Sequence, residues 1–201
     1  MSKALEMARK LVKQLEEIEK ENKVRLAELE PGEVFKIGKY DFIVLEQDIR
    51  SRTTKVISRD LMAENIVFDE DTRDYNNSNL KKVIENDIQP IIEAEVGSDN
   101  IVEHDVDLIS VDMQHEFEPC TCKVRPITFD EERKYNDLLV NEGLNDWWWT
   151  CTPWSTKERG WSLSIAVVAP SGDVLFSICR NINGVRPFCI LKSEIFVSKG
   201  E

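Results

Sequence analysis

The stretch Trp147-Trp148-Trp149-Thr150-Cys151-Thr152-Pro153-Trp154, answered further along by Gly184-Val185-Arg186-Pro187, decides how this chain packs. Four of the five tryptophans fall within those eight residues, and the fifth, Trp161, follows directly. A tryptophan carries a large apolar surface and an N–H that needs a partner when buried. Neighbours on a strand alternate faces, so three in a row cannot all enter one core. The segment therefore either straddles two packed layers or presents aromatic surface to a ligand.

Outward from this centre, the C-terminal third reads as a β-meander. Trp161–Val168 alternates, the stretch from Pro170 to Asp173 turns, Val174–Arg180 returns, Asn181 to Gly184 turns again, and Val185–Leu191 closes. Pro187 interrupts that last stretch and belongs at an edge or a bulge. Upstream, Glu33–Ile37 and Tyr40–Gln47 form a hairpin across Gly38-Lys39, and Thr53–Ser58 is a third strand. Asn79–Asp87 is helical, with Pro90 ending or kinking it and Ile91–Val96 continuing it. Thr128-Phe129-Asp130-Glu131 is a capping box that starts a helix running to about Asn141.

Residues 3–30 read as one long helix that Pro31-Gly32 stops. Its apolar positions approach an a/d seam, and acid-first i,i+4 pairs such as Glu6–Lys10 and Glu16–Lys20 support it. Asn22 falls on the seam, where a polar residue fixes register. This pattern predicts a coiled coil joining two chains through Leu11, Leu15, Ile18, Asn22 and Leu29; a single amphipathic helix packed on its own domain, or one ordered by a partner, are the alternatives. The expected architecture is α+β: an N-terminal coiled-coil-like helix over 1–31, then an α+β domain over 33–201 closed by an antiparallel meander.

The chain has 201 residues, five cysteines and a formal net charge of −12. No apolar run approaches the roughly 20 residues of a membrane span, and the N-terminus lacks a secretory h-region. An odd number of cysteines without scaffold spacing points to reduced thiols in a cytoplasmic protein. The acid excess sits in one segment: residues 64–118 carry sixteen acidic and three basic side chains. Such a segment repels nucleic acid and draws in a basic protein partner.

Chemistry is harder to find. His104, His115, Cys120 and Cys122 supply soft ligands, but a Cys-x-Cys pair with no second knuckle is not a zinc pattern. Asp69-Glu70-Asp71 with Asp74 lacks the glycine and closing glutamate of a calcium loop. Both histidines lie in the acidic segment, and no nucleophile elbow, P-loop or dinucleotide fingerprint is present. Cys151, between tryptophans, is the one provocative thiol and the alternative for an enzyme. Lys157 and Arg159 are cancelled by Asp146 and Glu158, which argues against a nucleic-acid groove. The sequence predicts no cofactor and no metal.

Trp148-Trp149-Thr150-Cys151-Thr152-Pro153, Ser171-Gly172 and Gly184-Val185-Arg186-Pro187-Phe188 together resemble a domain of unknown function common in bacteria and their phages. The same signature is similar, more distantly, to the C-type-lectin-like fold shared with formylglycine-generating enzymes. Cys151 stands where related sequences often place arginine, and Cys179 and Cys189 do not reproduce the closely spaced cysteine pair of those enzymes, so oxidase activity is not carried over. The resemblance implies a lectin-like α+β scaffold, in a phage or mobile-element setting, whose loops bind a ligand. It also implies that Arg186 anchors backbone carbonyls or a carboxylate beside the tryptophan loop.

The function expected from the sequence is a non-enzymatic protein-binding module that forms a homodimer. Its contact residues are Trp154, Lys157 and Arg159 in one loop and Asp69, Glu70, Asp71 and Asp74 in another. The alternative is an acidic, anti-CRISPR-like inhibitor of a nucleic-acid-dependent host enzyme, its acids occupying a phosphate channel.

Overall fold

The computed structural model describes residues 5–7, 9–11 and 23–200. Fourteen strands dominate it. Strands β1 (Lys23–Arg25), β14 (Phe196–Lys199), β2 (Val34–Ile37), β3 (Tyr40–Asp48), β4 (Thr53–Ser58), β13 (Pro187–Lys192) and β8 (Val124–Pro126) lie in that order in a seven-stranded antiparallel sheet. A five-stranded sheet runs β11 (Val174–Ile178), β10 (Ser164–Val168), β9 (Trp148–Pro153), β12 (Ile182–Val185) and β5 (Ala63–Val67). A small ribbon pairs β6 (His104–Val106) with β7 (Cys120–Cys122). No helix of the described residues is long and apolar enough to cross a membrane.

The main core joins the inner face of the large sheet (Phe35, Phe42, Val44, Val56) to Trp149, Cys151, Ile165 and Val185 of the smaller one. Leu80, Ile84, Ile88 and Ile92 cover it from one helical stretch. That stretch begins as Asn79–Val83, opened by the Ser78 hydroxyl accepting from Lys81 N–H, and ends as Gln89–Val96. Between them Ile84–Ile88 is a π turn. Pro90 has no N–H to give and its ring crowds the preceding turn, so the helix widens by one residue instead of breaking. The helix Phe129–Leu139 starts with the full capping box of Thr128 and Glu131 and packs Tyr135 and Leu139 on the outer face of the large sheet, against Ile43, Ile57 and Phe188.

The centre of the tryptophan run is fully enclosed, while Trp147 and Trp154 are partly buried. Trp148 and Trp149 are both buried and point to opposite faces of β9. Trp149 meets Phe68 edge-on at 5.6 Å and donates to the Ile66 carbonyl at 2.7 Å. Trp148 lies instead against Arg186, whose guanidinium donates to the carbonyls of Ser58 (3.0 Å) and Leu139 (2.8 Å). Arg186 sits where the chain leaves the small sheet after β12 and enters the large one as β13.

Three parts of the expected architecture are corrected. First, the fold is mostly β, not α+β: most strands divide between a seven-stranded and a five-stranded sheet. Second, the long coiled-coil-like helix over 1–31 does not exist as read. Residues 5–7 and 9–11 are helical, but Lys23–Arg25 is a strand paired with β14, and Leu26–Glu28 is a 3₁₀ turn. Leu29, expected on the seam, is buried in the main core with Leu26, and Gln47 holds the Leu26 and Leu29 carbonyls at 2.8 and 3.0 Å. Apolar spacing of three residues serves a 3₁₀ turn as well as a helix. Leu11 is exposed; Leu15, Ile18 and Asn22 lie outside the described residues. Third, the C-terminal strands are not a simple meander. After β11 the chain passes to β12, which pairs antiparallel with β5 and touches β9 in parallel, instead of returning along β11. Gly184 makes this close approach possible: its N–H reaches the Trp147 carbonyl at 2.7 Å, and a Cβ there would meet the Leu61 side chain at 2.5 Å.

Candidate functional site

Because β12 departs, β11 is left as the outer strand of its sheet. Its residues Leu175, Phe176 and Ile178 are about half exposed, as is Ile182 beyond the next turn. Phe176 packs with two half-buried tryptophans: its ring centre lies 5.4 Å from Trp154 and 4.9 Å from Trp161, and the two indoles are 6.3 Å apart. These three rings form an aromatic shelf along the sheet edge, with Ile178 on the same face of β11 as Phe176 and Leu175 on the other.

Local chemistry holds the shelf in place. Trp154 N–H donates to the Ser164 carbonyl (2.9 Å) and Trp161 N–H to Thr156 (3.1 Å), which closes the loop between β9 and β10. Asp112, an acid of the 64–118 segment that the sequence did not mark individually, organises that loop. It accepts from Ser110 (2.6 Å), from Ser155 (2.7 Å) and from the Arg159 guanidinium. Those hydrogen bonds, Ser110 first, hold its carboxyl down at about 2. Arg73 is the second organiser. It is buried, donates to the Ser155 carbonyl and pairs with Glu116, and its guanidinium lies 5.0 Å over the Phe117 ring.

An open cleft of about 360 Å³ adjoins the shelf, lined by Asp71, Arg73, Glu116, Phe117, Lys157 and Leu163, among others. The structure thus brings the two loops read from the sequence to one side of the molecule, through Ser155–Arg73 and through Glu116, which accepts from the Lys157 N–H at 3.2 Å. The individual residues differ in what they offer. Trp154 belongs to the shelf, and Lys157 lines the cleft. Arg159 is engaged by Asp112, and Asp71 by Arg180 at 2.8 Å. Asp69 accepts the backbone N–H groups of Asp71, Thr72 and Asn79, and Asp74 accepts from Asn76 and Asn77. Asp69 and Asp74 are loop braces, while Glu70 is exposed. Leu29 is a core residue, not a contact.

The acidic segment does not form a single patch. Its members flank the cleft (Asp71, Glu116), line a separate cleft (Asp105, Asp107), or lie along the π-bulged helix (Glu85, Asp87, Glu93, Glu95). In that second cleft Arg125 makes a bidentate pair with Glu131 at 2.7 Å and donates to His104 at 3.1 Å. This ion pair was not foreseen; its only sequence trace is that Glu131 doubles as the capping-box acid.

The thiols and histidines stay apart in role. Cys151 is fully buried, its sulfur 3.4 Å from the Pro126 carbonyl, and burial pushes its thiol up to about 12. The thiolate is the nucleophilic form, so this environment suits packing and not attack. Cys120 and Cys122 are buried on one face of β7, His104 is held by Arg125, and His115 is exposed. Among the described residues no three histidine, cysteine or acidic side chains converge to hold a metal. No family model, curated protein or solved structure matches the chain.

Proposed function

We propose that the protein is a non-enzymatic protein-binding module whose contact surface is the Trp154–Trp161–Phe176 shelf. The observation that carries this reading is the mutual packing of Trp154, Trp161 and the half-exposed Phe176 beside the half-exposed Ile178 on an outer strand. Tryptophan and other aromatics are the residues that concentrate binding energy at protein interfaces, and contiguous exposed apolar surface marks such sites. Lys157, Glu158 and Arg159 supply a polar rim. The resemblance noted for the Trp-Trp and Gly-Val-Arg-Pro segments supports a phage or mobile-element setting, and five free, buried cysteines support a reducing, cytoplasmic one.

The test is capture from host lysate by the full-length protein, compared with a Trp154→Ala/Trp161→Ala variant whose melting temperature is checked in parallel. Proteins retained by the parent and lost by the folded variant support the reading. Identical capture by both ends it.

A further inference from the structure

The geometry points to a second copy of this chain as a partner of the β11 edge, added strand to strand with a two-fold axis through Phe176. This deepens the reading of the shelf as a binding surface and rests on it for its purpose, but its geometry is argued and tested separately.

The backbone gives the register. Ala169 N–H donates to the Asp173 carbonyl (2.8 Å) and Cys179 N–H to the Leu163 carbonyl (2.7 Å), and β10 and β11 pair between these points without a shift. In an antiparallel pair the bonding direction alternates along the strand. Odd-numbered residues of β11 therefore bond to β10, while Val174, Phe176 and Ile178 turn their N–H groups outward. The outward Ile178 carbonyl is taken by Asn181 N–H at 2.8 Å; no strand of the described residues takes the rest.

The other outer strands of the two larger sheets are guarded as natural edges usually are. β1 is three residues long and two of them are Lys23 and Arg25. β8 is three residues long and ends in Pro126. β5 carries Glu64 and then Asn65 in the left-handed conformation (φ +57°). β11 has no charge, no proline and no bulge. An unguarded edge on one of the four outer strands of the two larger sheets is what a pairing edge requires.

Charge selects the occupant. A chain of net charge −12 repels its copy, yet Val174–Ile178 is uncharged and bounded by Asp173 and Arg180. Antiparallel pairing centred on Phe176 sets the Asp173 end of one copy against the Arg180 end of the other, so like charges do not meet across the axis. Phe176 then exchanges both backbone bonds with Phe176 of the second copy, and each Ile178 N–H reaches a Val174 carbonyl. Directly opposed residues share a face, so the two aromatic shelves merge into one surface and remain available. A five-residue edge is only about 17 Å long, short of what stable interfaces of roughly 1,200 Å² and more bury; the pairing is concentration-dependent.

Sedimentation of the full-length protein tests this. The mass-average should climb from 23.2 kDa toward twice that value as concentration rises, and more steeply at high salt, where like-charge repulsion is screened. Amide exchange should show Phe176 and Ile178 slowing with concentration, while Leu175 and Ser177 are slow throughout. Phe176→Lys and Ile178→Pro should both stay monomeric; the proline removes an outward N–H, which an outer strand tolerates. If the mass stays at 23.2 kDa at every concentration, or if association leaves the Phe176 and Ile178 amides fast, the proposal is wrong. A monomer that still loses its lysate partners on Trp154→Ala/Trp161→Ala would separate failure of the pairing from failure of the shelf.

Discussion

The Arg186 guanidinium lies 4.5 Å from the centre of the Trp148 ring, and both side chains are fully buried. A buried cation is costly unless its donors are used. Here two of them close carbonyls that the passage between sheets would otherwise leave bare, Ser58 at the end of β4 and Leu139 at the end of its helix. Burial lowers the guanidinium to about 10, so it stays charged at neutral pH. Arg186→Met keeps the bulk and removes the donors. Each of the two abandoned buried carbonyls costs about 1–3 kcal/mol, so urea unfolding should show a loss of about 2–6 kcal/mol. Arg186→Lys should recover little, because one ammonium replaces a planar fork that reaches two acceptors.

Gly184→Ala places a methyl 2.5 Å from Leu61. Overpacking of this kind costs about 1–3 kcal/mol. Leu61→Ala in the same molecule should relieve part of that loss, giving a non-additive double-mutant cycle by chemical denaturation. Additive effects would mean that the two side chains do not meet.

Leu26 is completely buried. Leu26→Ala should destabilise the protein by about 2–5 kcal/mol, the usual range for a buried leucine, with no change in subunit mass at dilute concentration. An exposed coiled-coil seam would give the opposite pattern.

Acid should unfold the protein progressively below about pH 4.5. Glu46 accepts from Tyr135, Lys134 and Lys55, and these bonds, Tyr135 first, lower its carboxyl from 4.5 to about 2. Asp112 is lowered from 3.8 to about 2 by Ser110, Ser155 and Arg159. A carboxyl depressed in the folded state contributes stability that is present above its unfolded value and is lost as pH falls through the folded one. The window is therefore about pH 4.5 to 2. Glu46→Gln should flatten the fall of stability with pH, read from urea midpoints at a series of pH values.

Local patterns in the sequence transferred well where the signal was itself local. The hairpin across Gly38-Lys39, the Thr128–Glu131 capping box and the irregular turn before Pro90 each depend on residues a few positions apart. The N-terminal helix was misread because Leu26 and Leu29 have a spacing common to two kinds of turn, and only the β14 partner, at the far end of the chain, decides between them. The loop around Trp154, proposed above for contact, stands out in the sequence as an aromatic beside mixed charge. Its organisers, Asp112 and Arg73, were not, because their role comes from partners more than forty positions away, Arg159 and Ser155 among them. The free edge of β11 was also invisible: alternation describes a strand but not which neighbour it lacks.

The pairing of Lys23–Arg25 with Phe196–Lys199, and of β14 in turn with β2, bears on how the chain is made. The large sheet waits for the last strand to leave the ribosome before its first strand has anything to bond. Contacts so distant in sequence slow folding, and until they close, the apolar residues around Leu26 and Phe35 stand open to solvent and to other nascent chains. Refolding should accordingly be slow, and deleting Phe196–Lys199 will loosen the stretch from Lys23 to Leu29 most.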